Sequence, residues 1–256
     1  MKWSLLLKVL PLTTIFCMAK VSLYFLGWEP WAFDSLTGSL FGAATFVVAF
    51  LLSGTLSDYN ASKDMVVQLA NAVETIQDAN LLCAADLSGY DPKPLTKSLV
   101  EALQAIMDCL QQNKSFTVVD QAFSQVNLHF LGLQRMAGDS VANRVQSELA
   151  KMRILVTRMH LIRSTDFLGP AYALLEIFLV GAVLSLLLIG ADRFSENLVV
   201  ACFLFTSFTY LLLLIKDLDN PFRYDGKSVV EVDLALLTAT CDRIQKSLSS
   251  SVLVES

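Results

Sequence analysis

Four long apolar blocks constrain this chain more than any other feature: Pro11–Trp28, Thr37–Leu56, Phe167–Gly190 and Leu198–Ile215. Each approaches the roughly 20 apolar residues that an α-helix needs to cross about 30 Å of hydrocarbon. The apolar residues gather in these blocks instead of recurring at a core-forming period, and only 17% of the chain is charged, against roughly 25% in an ordinary soluble domain. A mean hydropathy of +0.55 agrees. Inside a bilayer every backbone N–H and C=O must be bonded within the protein, which leaves helices for segments of this kind. The fold class expected is therefore all-α and integral to the membrane, with about four transmembrane helices.

The blocks divide the chain into four stretches. Residues 1–56 hold an N-terminal segment and spans one and two, 57–165 a cytoplasmic helical bundle, 166–216 spans three and four, and 217–256 a cytoplasmic C-terminal helix. Span one is the most polar, with Lys20 inside it and Lys8 before it. Pro11 suits a first helical turn, where its missing N–H costs nothing, so Met1–Leu10 reads as a short interfacial helix feeding the span. A secretory signal with Lys2 as its charged region and Cys17 as a lipoprotein site fits poorly. Phe16 sits where a small residue belongs, Lys8 interrupts the apolar stretch, and Lys20 follows closely.

Basic residues set the orientation. Glu29–Leu36 carries no Lys or Arg and Ala191–Asn197 only Arg193, so both connections are expected outside. The basic residues from Lys63 to Arg163 lie between spans two and three, and Lys216, Arg223, Lys227, Arg243 and Lys246 follow span four. These segments and both termini are expected in the cytoplasm, with Trp28, Trp31 and Phe33 at the outer interface.

The region between spans two and three reads as helices without persuasive strands. Val66, Leu69, Val73, Ile76 and Cys83 make a near-heptad stripe that Asp91, Pro92 and Pro94 interrupt. Leu99, Leu103, Ile106 and Leu110 make a second stripe, and Phe116, Val119, Phe123 and Val126 a third. Val141, Val145, Leu149, Met152, Val156 and Met159 make a fourth, running on toward span three with no Gly or Pro before Gly169 and Pro170. One long helix from cytoplasm into membrane is expected there. Val230, Leu234, Leu237, Cys241, Ile244 and Leu248 predict an amphipathic helix after span four. Each such face must be buried against something, within one bundle or against neighbouring subunits.

Several function classes drop out. A net charge of -5 without a basic cluster is wrong for nucleic acid. Cys17, Cys83, Cys109, Cys202 and Cys241 form an odd set without metal-site or disulfide spacing. His129 and His160 are isolated, and the sequence lacks the HExxH, GxSxG, GxGxxG and Walker-type patterns that carry catalysis or nucleotide binding. No enzyme activity, cofactor or metal is implied. Asp217, Asp219 and Asp225 offer a cation a few carboxylates, but the run is not EF-hand-like and calcium wants six or more ligands, so they read more simply as caps or partners of Arg223.

Span two is the most informative block. Gly38 and Gly42 are spaced for close helix approach, and Gly42, Thr45, Ala49 and Ser53 alternate with Phe46 and Phe50. Such a helix can pack by its small residues, or line a pore in which apolar rings gate by dewetting. Glu176 inside span three demands a partner or a cavity. Lys8 and Lys20 are the candidates, Lys8 matching its depth better. Arg144, Lys151 and Arg158 recur every seven residues, as a basic stripe facing a vestibule or as a plain positive-inside signal.

Two stretches carry a family resemblance. Phe50–Lys63, FLLSGTLSDYNASK, and Asp217–Tyr224, DLDNPFRY, resemble the two signature regions of bestrophin-like membrane proteins, and the layout of spans and insert is similar over most of the chain. The resemblance implies a pentameric, chloride-permeable channel whose second helix lines the pore. The neck then comes from Thr45, Ala49 and Ser53 in one register, or Phe46, Phe50 and Gly54 in the other. It also implies that Asp219, Asn220, Pro221 and Phe222 form a turn pinning the tail against the bundle. The Arg-Trp-Trp that follows the second span in bestrophins is replaced here by Ala61, Ser62 and Lys63. Their acidic calcium clasp is reduced to scattered Asp225, Glu231 and Asp233, which argues against calcium activation. The expectation is an oligomeric anion channel whose partners are the bilayer, small anions and further copies of itself. The alternative is a non-conducting membrane scaffold or signalling protein that docks partners on its cytoplasmic bundle.

Overall fold

The structure is a computed structural model that describes residues 3–112, 114–164, 169–224, 226 and 228–253. It contains α1 (Ser4–Phe25), α2 (Ser35–Asp86), α3 (Lys93–Gln112), α4 (Phe116–Met136), α5 (Asp139–Ser164), α6 (Gly169–Leu188), α7 (Phe194–Asp219) and α8 (Ala235–Leu253). Among the described residues the chain is all-α apart from β1 (Trp31–Ala32) and β2 (Ile189–Gly190), which pair in parallel with Trp31 opposite Ile189. Four helices are long and apolar enough to cross a membrane: α1, α2, α6 and α7. Few of their side chains are buried, and apolar ones including Leu7, Ile15, Ile177, Val180, Val199 and Phe203 are exposed. Helices apolar on every side need a greasy solvent.

One compact unit gathers α1, α2 as far as Tyr59, α6, α7 and residues 228–230. Its core joins Ala44 and Val48 of α2 to Leu175, Leu179 and Ala182 of α6 and to Phe208 and Ile215 of α7. The helix α1 packs on α7 through a stacked Phe16–Phe205 pair and a Thr13–Thr206 hydrogen bond of 2.9 Å. At its C-terminal end α1 closes in a Schellman motif. Gly27 has φ 67, and the N–H groups of Trp28 and Gly27 bond the carbonyls of Leu23 and Tyr24. The left-handed backbone at this point suits glycine, which has no Cβ to clash.

The other unit holds α2 from Asn60, then α3, α4, α5, α8 and the segment around Pro221–Tyr224. All four apolar stripes read from the sequence are its core, with Leu69, Val73, Ile76, Leu99, Leu103, Val145 and Met152 fully buried. A polar network fixes the α2–α3 connection. Asn80 Nδ2 donates to Pro92 O at 3.0 Å and to Thr96 Oγ1 at 2.9 Å, Tyr90 OH donates to Asn80 Oδ1 at 2.6 Å, and Thr96 Oγ1 donates to Gln77 Oε1 at 3.0 Å. Burial pushes the Tyr90 hydroxyl up to about 12.

Three details depart from the sequence reading. Pro11 lies inside α1, not at its start. The helix runs through it because the flanking residues are apolar helix formers, and the hydroxyls of Thr13 and Thr14 add bonds to the carbonyls of Val9 and Leu10 beside the interruption. Such local repair is what lets proline persist in membrane helices. Secondly, the unbroken helix that leaves a span is α2, 52 residues long, because no Gly or Pro follows Gly54 before Gly89. The continuity expected between α5 and span three falls at residues 165–168, outside the described residues. Thirdly, α8 starts at Ala235, whose N–H bonds Asp233 Oδ1 at 2.8 Å, so Val230 precedes the helix it was expected to open.

Candidate functional site

The face of α2 that its own chain leaves uncovered is the main candidate. Ala44, Val48 and Thr55 are buried, while Gly42, Thr45, Phe46, Ala49, Phe50, Ser53 and Gly54 are exposed. Phe46 and Phe50 are 71% and 70% exposed. With 3.6 residues per turn, each residue advances about 100°. Phe46 and Ser53 therefore project almost directly away from the buried side, with Ala49 and Phe50 flanking them and Thr45 and Gly54 at the margins. Both registers read from the sequence lie on this one face. Asp34 fixes its N-terminal end. Asp34 Oδ1 accepts the Thr37 N–H at 2.8 Å while the Asp34 N–H bonds Thr37 Oγ1 at 2.9 Å, a reciprocal cap at the start of α2. The bond from the Thr37 backbone N–H holds the Asp34 carboxyl below its ordinary range.

The charges within the spans find partners other than those expected. Glu176 Oε1 pairs with Lys216 Nζ at 3.0 Å, both side chains about half exposed. Lys20 is fully buried, and its Nζ lies 2.8 Å from Glu29 Oε1 and bonds the carbonyls of Leu187 at 3.1 Å and Ile189 at 2.5 Å. Its place is the C-terminal end of α6, where an ammonium both satisfies orphan carbonyls and complements the helix dipole. Lys8 is exposed on α1. Depth along a helix was readable from the sequence, but the direction in which each charge points was not, so Lys216 and Glu29 were missed.

On α5, Arg144 and Arg158 are exposed and Lys151 is half-buried, with Glu148 within 3.7 Å of it. The three lie opposite the buried stripe of Val145, Leu149, Met152 and Val156. In the tail, Asn220 leaves the helical conformation, with φ -127 and ψ 79, in keeping with the bias of a pre-proline residue away from the α region. Phe222 is completely buried, and Pro221 O accepts the Val232 N–H at 2.9 Å. Tyr224 OH donates to Val232 O at 2.6 Å, and burial raises its hydroxyl. Asp217 Oδ2 accepts the Val229 N–H at 3.0 Å, while Asp225 lies outside the described residues. Among the described residues no three or more His, Cys, Asp or Glu side chains converge as a metal site would require. The His160 ring stacks on Phe116 at 4.3 Å.

No family model matches the chain, and no curated protein matches it in sequence. Solved structures do resemble it. A point variant of a bacterial bestrophin homologue from Klebsiella pneumoniae superposes with a TM-score of 0.75 at 14% identity, over 96% of this chain and 97% of that one. The chain has the bestrophin fold. A second variant of that homologue gives a TM-score of 0.74 at 14% identity, covering 95% and 97% of the two chains. A structure described only as a membrane protein gives 0.77 at 13%, covering 94% and 96%. The bestrophin fold thus extends over nearly the whole chain at an identity too low to transfer side-chain roles.

Proposed function

We propose that this protein is a homo-oligomeric, chloride-type anion channel whose pore is lined by the exposed face of α2, with five copies around the axis. The observation that carries the reading is that face itself. Two bulky rings one turn apart, Phe46 and Phe50, stand uncovered beside Ala49 and Ser53 on a helix whose opposite side is sealed by α6 and α7. Copies arranged about an axis would stack those rings into a narrow apolar neck, where large, weakly hydrated anions pass more easily than strongly hydrated cations. The resemblance in fold to a bestrophin homologue supports the same arrangement.

Exposed apolar residues away from the spans support an oligomer. Leu82 is 69% exposed, and Leu128, Ile154 and Leu161 are likewise uncovered on helices of the second unit. Surfaces of this kind are normally covered by a partner, and further copies are the partner proposed. The orientation proposed has both termini and the helical bundle in the cytoplasm, where Arg144, Lys151 and Arg158 would raise the local anion concentration. Asp219, Asn220, Pro221 and Phe222 anchor the tail in this scheme, and Glu176, Lys216 and Lys20 hold the spans together.

Purified protein in liposomes is expected to pass chloride above the level of empty vesicles, with Phe46→Ala and Phe50→Ala changing the flux and its anion preference. Absence of flux in both salt directions, or a monomeric mass in detergent, overturns the channel reading and leaves the scaffold.

A further inference from the structure

The contacts between α1 and α7 run as an antiparallel ladder. Thr13 meets Thr206, Phe16 stacks on Phe205 at 4.3 Å between centroids, and Tyr24 stacks on Phe194 at 3.8 Å. One helical turn outward from the Thr13–Thr206 rung, this register brings Cys17 opposite Cys202. Neither residue has sequence neighbours that would suggest a pair, since the two lie on helices far apart in the chain. The register places the two side chains on facing turns of α1 and α7. Both residues are half-buried, whereas Cys83, Cys109 and Cys241 are buried in the other unit.

We propose that Cys17 and Cys202 form a redox-modifiable dithiol within the membrane, closed to a disulfide by lipid-soluble hydroperoxides and clamping α1 to α7. An apolar, half-exposed site in the spans is reached by such an oxidant and sheltered from charged, water-soluble ones. One thiol sulfur attacks the hydroperoxide oxygen. The O–O bond breaks, an alcohol leaves with a proton, and a sulfenic acid forms. The second sulfur then attacks the first, the S–O bond breaks, and water leaves with the second thiol's proton. Two thiols are oxidised to one disulfide and one hydroperoxide is reduced to alcohol and water. The three other thiols are internal controls, because Cys83, Cys109 and Cys241 are buried in the other unit, out of reach of an oxidant dissolved in the lipid. The inference rests on helix register alone and holds whether or not the assembly conducts ions.

The test uses the full chain in phosphatidylcholine liposomes treated with cumene hydroperoxide, denatured in N-ethylmaleimide, digested and mapped by mass spectrometry. The expected result is a linked peptide joining Cys17 to Cys202 within one chain, with joint loss of both their alkylated forms and full recovery after dithiothreitol. Cys83, Cys109 and Cys241 remain alkylated throughout. In Cys17→Ser the linked peptide disappears and Cys202 stays alkylated. Both cysteines remaining alkylated in the oxidised wild type, each being oxidised separately, or a link found only between isotopically distinct copies overturns the proposal. Mapping of the unsubstituted protein decides the matter even where a variant fails to fold.

Discussion

The two halves of α2 follow opposite rules. Up to Tyr59 the helix turns Phe46 and Phe50 outward and buries Ala44, Val48 and Thr55, whereas beyond Asn60 it buries Val66, Leu69, Val73 and Ile76 together with the hydrogen-bonded side chains of Gln77 and Asn80. The same inversion separates the units. The first has a lysine in its interior and leucines on its surface, and the second has a core of aliphatic stripes stitched by one amide–hydroxyl network. In the first, dispersion and polar bonds hold helices together because lipid removes the hydrophobic drive between them. In the second, water supplies that drive.

This contrast can be broken by substitution, beginning with its most exposed weakness. Lys20→Met leaves the Glu29 carboxylate without its buried counter-charge, and removing one member of such a pair costs about 3–5 kcal/mol. A large fall in thermal unfolding midpoint in detergent is expected, partly restored by adding Glu29→Gln; an unchanged midpoint in the single variant would show that the pair is not an anchor. Phe222→Ala and Phe46→Ala then compare the same deletion in the two settings. The first empties a fully buried position and is expected to cost about 3–5 kcal/mol, while the second removes an exposed ring and is expected to leave stability within about 0.5 kcal/mol. Denaturant or thermal titration distinguishes them, and equal losses would refute the assignment of inside and outside. Between these two lies Asn80→Ala, which strands buried partners in the α2–α3 network at about 1–3 kcal/mol. Faster amide exchange at Thr96 is its signature.

The smallest effect concerns the N-terminal cap of α2. The Asp34 carboxyl is held below its ordinary 3.8, so its contribution is complete above that pH and disappears as the pH falls through the lower, folded value. Amide exchange at Thr37 should therefore quicken only in strong acid, relative to Asp34→Asn, which cannot titrate. Loss of protection already at pH 5 would contradict the cap.

Much of this was legible in the sequence because solvent leaves a strong imprint on composition. The apolar blocks marked the spans, and stripes such as Leu99, Leu103, Ile106 and Leu110 marked the faces that are buried. What stayed hidden was azimuth. Glu176 is bonded to Lys216 because α6 and α7 turn those side chains toward each other, and no spacing within either segment encodes that rotation. Lys20 meets Glu29 only because Gly27 reverses the chain and the β1–β2 bridge holds the return. The α2 face could be narrowed to two registers but not chosen between, since both are exposed in the same half-turn.

The surroundings of Lys20 also imply an order of events during synthesis. Chains emerge N-terminus first, so this ammonium enters the bilayer with the first helix, long before the carbonyl of Leu187, 167 residues later, has been made. Glu29 arrives almost at once. The early hairpin therefore carries its own neutralising charge through the interval, and the last pair of helices completes a socket that has been waiting for them.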